Sequence, residues 1–513
     1  MGAFLAGVDV GTTGARCAVF DLAGKAIASD YRDYGASYPR PGWVEQDSEL
    51  LIERAMEACR AALTQARVDP REVASVALSA QRSCTVPVDA DGRPVRPMFS
   101  WQDARTAEQV EELRQLVDPA DYYAWSGLPL GTTWIITKIL WMRRHEPELF
   151  ERTARFVQNQ DLVLRAFGAE QFHTDTCCMA FYGLWDVRRS AWNEPLLSRL
   201  ALSAERFGTP TRPGTRVGEI SPAAAEKTGF APGTPLCVGA GDQNCSVVGM
   251  GAIRPGIATV TLGTAGLAIL STDKPVDGFG GMMVTNHAVE GLWEIEGLSN
   301  AAAAAFRWFR DTVALRELDV QRTGGASAYE QLSALTAQAP RGSKGLLFLP
   351  YLATAATPRW NPQARAAFIG LSFAHGRAEL ARAVMEGVVL EVRDIIEQWT
   401  TAGLTLDVLR IGGGATRSAL WNQIQADVYG RPVETLAGGE STVLGAALLG
   451  GVGAGVFRSV EQGVEAMVRV AGQIEPAPAA HALYDEMYDA YVRAYRGLSD
   501  SGAFAAIHRI QGK

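Results

Sequence analysis

Two carboxylates stand where an apolar run breaks off into glycine. Asp9 lies inside "GVDVGTTGARCAVFD", Gly7 to Asp21, and Asp242 inside "PLCVGAGDQNCSVVGMGA", Pro235 to Ala252. An unpaired carboxylate on a buried strand costs on the order of several kcal/mol, so each needs something to offset it. Asp9 has two readings. Either it accepts hydrogen bonds from the N–H groups of its own hairpin, or it faces a metal-nucleotide and holds Mg²⁺ through water. Asp242 also has two. Asp after Gly at a helix start serves as an N-cap; the alternative is a base that takes a proton from an attacking hydroxyl, with Gly239 and Gly241 clearing space for the reacting molecule. A helix N-terminus holds such a carboxylate ionised and makes it a weak base. That suffices where a loose transition state for phosphoryl transfer depends mainly on positioning.

Gly11, Thr12, Thr13 and Gly14 follow Asp9, and "TVTLGTAGLAIL", Thr259 to Leu270, repeats the pattern with Gly263, Thr264 and Gly266. A Gly-Thr turn between strands directs N–H groups and hydroxyls into a concavity that suits phosphate oxygens. The second copy has Thr261 where the first has Asp9. The acid is therefore not required by the turn, which moves Asp9 toward the metal-nucleotide role. A third glycine-rich stretch, "LRIGGGATRSALWNQIQADVYGRPV", Leu409 to Val433, reads as strand, triple-Gly turn and a helix capped near Ser418. It lets a flat ligand lie against backbone. Between Ser79 and Arg105 stand Gln81, Arg82, Trp101, Asp103 and Arg105. They suit either a polyol pocket, with the ring on C–H faces and polar groups on hydroxyls, or a surface ion-pair cluster. "GWVEQD", Gly42 to Asp47, is open in the same way.

Strands are expected at Ala3 to Val10, Arg16 to Asp21, Val73 to Ser79, Leu236 to Ala240, Ile257 to Thr261, Gly266 to Leu270 and Val408 to Ile411. Helices are expected at Ser48 to Ala66, Ala378 to Ala402, Ser418 to Tyr429 and Ala479 to Gly497. Interleaved strand and helix patterns argue for an α/β fold. A chain of 513 residues exceeds one core, and the repeated hairpin divides it into two related halves near Gly251 to Gly256, at 1–253 and 254–513. Net charge is −8, which gives nucleic acid and anionic membranes no electrostatic reason to bind. The seven cysteines include no CxxC pair and suit reduced thiols in a cytoplasm. No signal peptide is read at the N-terminus. The longest uncharged run, Ser441 to Phe457, is short for a membrane span and reads as a buried helix, with "GGVGAG", Gly450 to Gly455, at its end.

Taken together, "VDVGTTGAR", "GWVEQD", "SWQDAR", "GAGDQN", "TLGTAG", "FLPYL", "NPQARAAFIGLS", "GGGATRSALWNQIQADVYGRPV" and "ESTVLGAALLG" resemble, in order and over nearly the whole chain, the FGGY family of carbohydrate kinases. These belong with actin and the heat-shock ATPases. The resemblance implies two ribonuclease-H-like domains with a cleft between them, and phosphorylation of a sugar or polyol hydroxyl by ATP with Mg²⁺. It makes Asp242 the catalytic base, and Asp9, Gly11, Thr12 and Thr13 the first phosphate and Mg²⁺ site. Gly263 and Thr264 become the second phosphate loop, and Gly413, Gly414 and Ser418 adenosine contacts. Gln81, Arg82, Trp101, Asp103, Trp134, Asp242 and Gln243 become sugar contacts.

The substrate signals are mixed. Xylulokinases resembled here show Gln-Met-His-Gly where this chain has "QRSC", and glycerol kinases show Gln-Arg-Glu, where Ser83 replaces the Glu. "GAGDQ" leans toward glycerol kinase, while "TLGTAG" and "NPQARAAFIGLS" lean toward xylulokinase. "TAATP", Thr354 to Pro358, lacks the Glu and Arg of the xylulokinase Gly-Glu-Arg-Thr-Pro run. The expected substrate is a pentulose such as D-xylulose, with glycerol, erythritol, gluconate or another small polyol as the alternative. A nucleotide-driven conformational protein of the actin or chaperone type is the reading outside enzymes, and a silent sugar sensor a further one. Expected partners are the sugar or polyol and ATP, with no nucleic acid and no membrane, and a homodimer among the open assemblies.

Overall fold

Phe4–Val10 (β1) and Gly14–Asp21 (β2) pair as an antiparallel hairpin in the computed structural model, which describes residues 2–277 and 279–511. Ala26–Asp33 (β3) continues the meander beyond β2. On its other side β1 runs parallel to Val73–Ala80 (β4), edged by Arg216–Glu219 (β5) and Pro235–Gly241 (β6) in the order β5-β6-β4-β1-β2-β3. Strands β1, β4 and β6 are parallel neighbours, covered on both faces, which is why they read as nearly unbroken apolar runs.

The second sheet repeats this plan. Ile257–Leu262 (β7) and Gly266–Thr272 (β8) form the hairpin, extended antiparallel by Met283–Asn286 (β9) and Trp293–Ser299 (β10). On the far side β7 runs parallel to Val408–Gly412 (β11), followed by Val433–Leu436 (β12) and the antiparallel edge Val470–Ile474 (β13). The order is β9-β10-β8-β7-β11-β12-β13. The hairpin echo is thus an echo of whole sheets, and the two-part α/β architecture is the one expected.

Helices cover the sheets. Ser48–Ala66 (α1) starts at Asp47, whose carboxylate accepts the N–H groups of Glu49 and Leu50, and ends at a left-handed Arg67. Asp242–Gly249 (α2) follows β6, and Arg377–Thr401 (α3) runs through the core of the second half. Ala419–Tyr429 (α4), Ser441–Gly453 (α5) and Pro478–Asp500 (α6) complete the frame.

The uncharged run is a buried helix, but α5 stops at Gly453, short of Phe457. It crosses in space, packing on β1, β4, β6 and α2 of the first half. The division at 253 and 254 therefore falls between the sheets in sequence while one later helix lies on the first sheet. Glycines make this approach possible. A Cβ on Gly7 would stand 2.0 Å from the Val443 carbonyl oxygen, and one on Gly445 1.9 Å from that of Cys245. A separate aromatic cluster, with Phe99, Trp134, Trp141, Phe181 and Tyr182, packs beside the first sheet.

Candidate active site

Asp9 and Asp242 stand at the carboxyl ends of β1 and β6, on either side of β4, where open α/β sheets receive ligands. Ser79 of β4 lies in register with Asp9 and donates its hydroxyl to Asp9 Oδ1 at 3.1 Å. Burial and the nearby negative charge of Asp242 push the Asp9 carboxyl up to about 7, against the pull of Ser79 and Arg16. Arg16 faces Asp9 across the hairpin and pairs with Glu440 of the second half at 2.9 Å.

Gly241, not Asp242, is the N-cap of α2; Asp242 is its first residue, and Oδ1 accepts the Gln243 N–H at 2.8 Å. Burial raises the Asp242 carboxyl and outweighs the lowering by Arg82 and by the helix start. The helix start therefore pulls this carboxyl down as expected, while burial sets the net direction. The roles given to the glycines change. A Cβ on Gly239 would meet the Leu78 backbone oxygen at 2.2 Å, and one on Gly241 the Arg82 side chain at 2.6 Å. They make room for protein, not for the reacting molecule.

Arg82 lies over Asp242, with Nε 3.3 Å from Oδ1. Its other two nitrogens each meet a Glu296 oxygen at 2.8 Å, and its plane lies over the Phe181 ring at 4.9 Å. Asn244 donates to Glu294 at 2.8 Å, so β10 contributes two carboxylates to the junction. Gln81 is buried and donates to Gln46, leaving its own Oε1 without a partner among the described residues. The Trp101 indole donates to Thr12 Oγ1 at 3.1 Å, joining this cluster to the first Gly-Thr turn. Gln243 is half-buried beside Asp242.

Asp103 is placed differently from a ligand contact. Its carboxylate is buried, forked by Arg105 and bonded to the Val44 N–H at 2.7 Å. That is the ion-pair cluster, turned inward. Trp134 is likewise buried, its indole donating to the Pro129 carbonyl and its ring beside Phe181.

Both Gly-Thr turns have their carbonyls occupied, and their threonine N–H groups have no acceptor among the described residues. Gln46 donates to the Thr12 carbonyl at 2.8 Å, Tyr34 donates its hydroxyl to that of Gly11, and the Tyr34 N–H to that of Thr13. In the second turn the Ala303 and Ala304 N–H groups, opening a helix, take the Gly263 and Thr264 carbonyls. The N–H groups of Thr12, Thr13 and Thr264 have no acceptor among the described residues. A Cβ on Gly11 or Gly263 meets nothing closer than 3.4 Å, so these glycines leave open space rather than solve a packing problem. The turns differ by one residue: the Gly11 N–H bonds to Gly14, the Gly263 N–H to Ala265.

At the triple glycine, Gly413 has φ +81° and a Cβ there would meet the Leu262 backbone at 2.6 Å, whereas Gly414 has open space. Ser418 is the N-cap of α4, its Oγ accepting the Trp421 N–H. For a cation, Asp9 is the available carboxylate, with Oδ2 unpartnered among the described residues. No cluster of three or more His, Cys, Asp or Glu side chains suited to a metal occurs among those residues. This donor set fits Mg²⁺ held largely by water and phosphate, and does not fit a protein cage.

Arg16, Glu294 and Glu296 were not singled out by the sequence. The signal for the two glutamates is "WEIEGLS", which puts acids at alternate positions of an otherwise apolar strand.

Models of the FGGY family of carbohydrate kinases match residues 4–249 (N-terminal domain) and 258–454 (C-terminal domain). The chain is 28% identical to a xylulose kinase of Bacillus subtilis, covering 97% of each. It is 29% identical to an autoinducer-2 kinase of Salmonella paratyphi A, over 100% of this chain and 98% of the other. A crystal structure of xylulose kinase from Rhodospirillum rubrum superposes with a TM-score of 0.87 at 27% identity, covering 97% of this chain and 99% of that one.

Proposed function

The chain belongs to the FGGY family of carbohydrate kinases, and from that premise we propose that it transfers the γ-phosphoryl group of ATP to a primary hydroxyl of a pentulose such as D-xylulose. The coarser statement, an ATP-dependent sugar or polyol kinase, follows from the family and from relatives spanning the whole chain. The observation that carries the mechanism is the pair of Gly-Thr turns, whose carbonyls are bonded and whose Thr12, Thr13 and Thr264 N–H groups have no acceptor among the described residues, set beside two carboxylates at strand ends on either side of β4.

In this reading the Thr12, Thr13 and Thr264 N–H groups hold phosphate oxygens. Asp9 would hold Mg²⁺ through water, and the ion would offset charge on the phosphates. Asp242 orients the acceptor hydroxyl and takes its proton; burial keeps it a stronger base than an exposed Asp. Gln81, Arg82, Trp101 and Gln243 form the acceptor wall, while Asp103 and Trp134 hold that wall from behind. Gly413, Gly414 and Ser418 shape the adenosine end, with Gly414 the open surface. Seven buried, unbridged thiols suit a reducing compartment such as the cytoplasm. No helix of the described residues is long and apolar enough to cross a membrane.

A second acceptor class, small polyols such as glycerol, is favoured by Arg82 closing over Asp242. Coupled ADP release over pentuloses, glycerol, erythritol, gluconate and an autoinducer-2 preparation separates the two. The highest kcat/KM on a pentulose supports the proposal; the highest on any other acceptor overturns the pentulose assignment.

A further inference from the structure

Glu296 comes from the second half of the chain, yet it holds the side chain that lies on Asp242. Its carboxylate is only 2% exposed, and burying such a charge is costly unless a partner of matched geometry meets it. The partner here is the Arg82 guanidinium: Nη2 donates to Glu296 Oε1 at 2.8 Å and Nη1 stands 2.8 Å from Oε2 as an ion-pair contact, against one contact of 3.3 Å to Asp242. The guanidinium is therefore shared unequally. Its stronger pairing is with the carboxylate that lies across the junction.

We propose that Glu296 is a positioning residue, which draws the Arg82 fork toward itself and so leaves Asp242 free to accept a proton from the acceptor hydroxyl. The proposal rests on the kinase reading above and adds to it a dependence of the base on β10 of the other half. The charged and titratable groups around Asp242 are Asp9 from β1, Arg82 and Cys84 from the segment after β4, and Glu296 from β10, with Glu294 of β10 beside Arg82 and Glu296. Arg82 is the cation among them. Without the Glu296 charge, its nearest remaining anion is Asp242.

Glu296→Gln keeps size and hydrogen-bonding capacity but removes the charge. With the acceptor that the wild type turns over best, the acidic limb of the kcat profile is expected to move about one pH unit lower. The plateau is expected to fall about three- to tenfold, because a more acidic Asp242 is a weaker base. The KM for ATP is expected to stay within about twofold of wild type, as a positioning role at the acceptor end requires. A role confined to holding the halves together would move neither the limb nor the KM-against-kcat split in this way. The second arm is a cycle with Arg82→Met. If Glu296 acts through Arg82, adding Glu296→Gln to Arg82→Met costs no more than about twofold further, whereas independent effects multiply. Should the Gln variant not fold, Glu296→Asp carries the same test with a smaller shift in the same direction. An unmoved acidic limb, or multiplicative losses in the cycle, overturns the proposal. A wild type that phosphorylates no acceptor overturns the kinase reading on which it rests.

Discussion

At the level of single residues, the electrostatics of two acids, Asp9 and Glu391, lead to separate measurements. Asp9 has one oxygen on Ser79 and the other unpartnered among the described residues, and its carboxyl is pushed up to about 7. A divalent cation favours the ionised form. Asp9→Asn is therefore expected to raise the Mg²⁺ concentration for half-maximal turnover by about tenfold or more, with the acceptor KM little changed; an unchanged Mg²⁺ requirement would remove Asp9 from the metal site. Glu391, on α3, accepts the hydroxyl of Ser299, which pairs with Gly266 beside the second Gly-Thr turn. Burial pushes its carboxyl up to about 8. A carboxyl raised in the folded chain contributes stability that is fully present below its unfolded pKa, near 4.5, and lost as pH rises toward 8. Glu391→Gln is expected to match the wild-type unfolding temperature at pH 5 and to exceed it by about 1–3 °C at pH 8.5. Coincident melting curves at pH 8.5 would contradict this. The residues that the structure gathers at the two strand ends stood out in the sequence because glycine and threonine beside an acid are unusual on a buried strand. Pairings were not: nothing in "SWQDAR" says that Asp103 turns inward to Arg105, or that Arg82 meets Glu296 more than 200 positions away.

At the level of elements, two glycines make opposite demands. Gly445 on α5 faces the Cys245 carbonyl so closely that a Cβ would stand 1.9 Å away. Gly445→Ala is expected to lower the unfolding temperature by several degrees or prevent folding, since backbone on both sides must move. Gly414 has nothing within 4 Å of an added Cβ and no positive φ. Gly414→Ala is expected to leave stability within about 1 °C of wild type while raising the ATP KM several-fold, as an occupied open surface would require. Thermal melts beside ATP titrations check both, and an ATP KM unchanged in Gly414→Ala would move the adenosine end elsewhere. Strand and helix positions were readable because period and caps are local properties: α1 runs over the expected Ser48–Ala66, and β7 is longer by one residue. The destination of α5 was not readable. An uncharged helix packs equally well by composition on either half, and only the glycine contacts reveal that it lies on the first sheet.

At the level of the whole molecule, the site is assembled from both halves. The first brings Asp9, Asp242, Arg16, Arg82 and Asn244; the second brings Glu440 to Arg16, Glu296 to Arg82 and Glu294 to Asn244. For the proposed transfer, closure of the halves would exclude water from the phosphoryl group. The duplicated hairpin made the two-part plan legible, because each copy needs its own sheet. The ties between the halves were not, since they join residues distant in the chain. At the junction Asp242, Glu296 and Glu440 stand against Arg16 and Arg82, so a neutral acceptor is expected to outperform gluconate by about tenfold or more in kcat/KM. The most direct test of the account is acceptor-dependent ADP release by wild type and Asp242→Asn, measured side by side on the best neutral acceptor. The expected result is release that requires the acceptor and falls by about a hundredfold or more in the variant, with ATP affinity retained. ATP turnover indifferent to every acceptor, or a variant that keeps wild-type turnover, would contradict it.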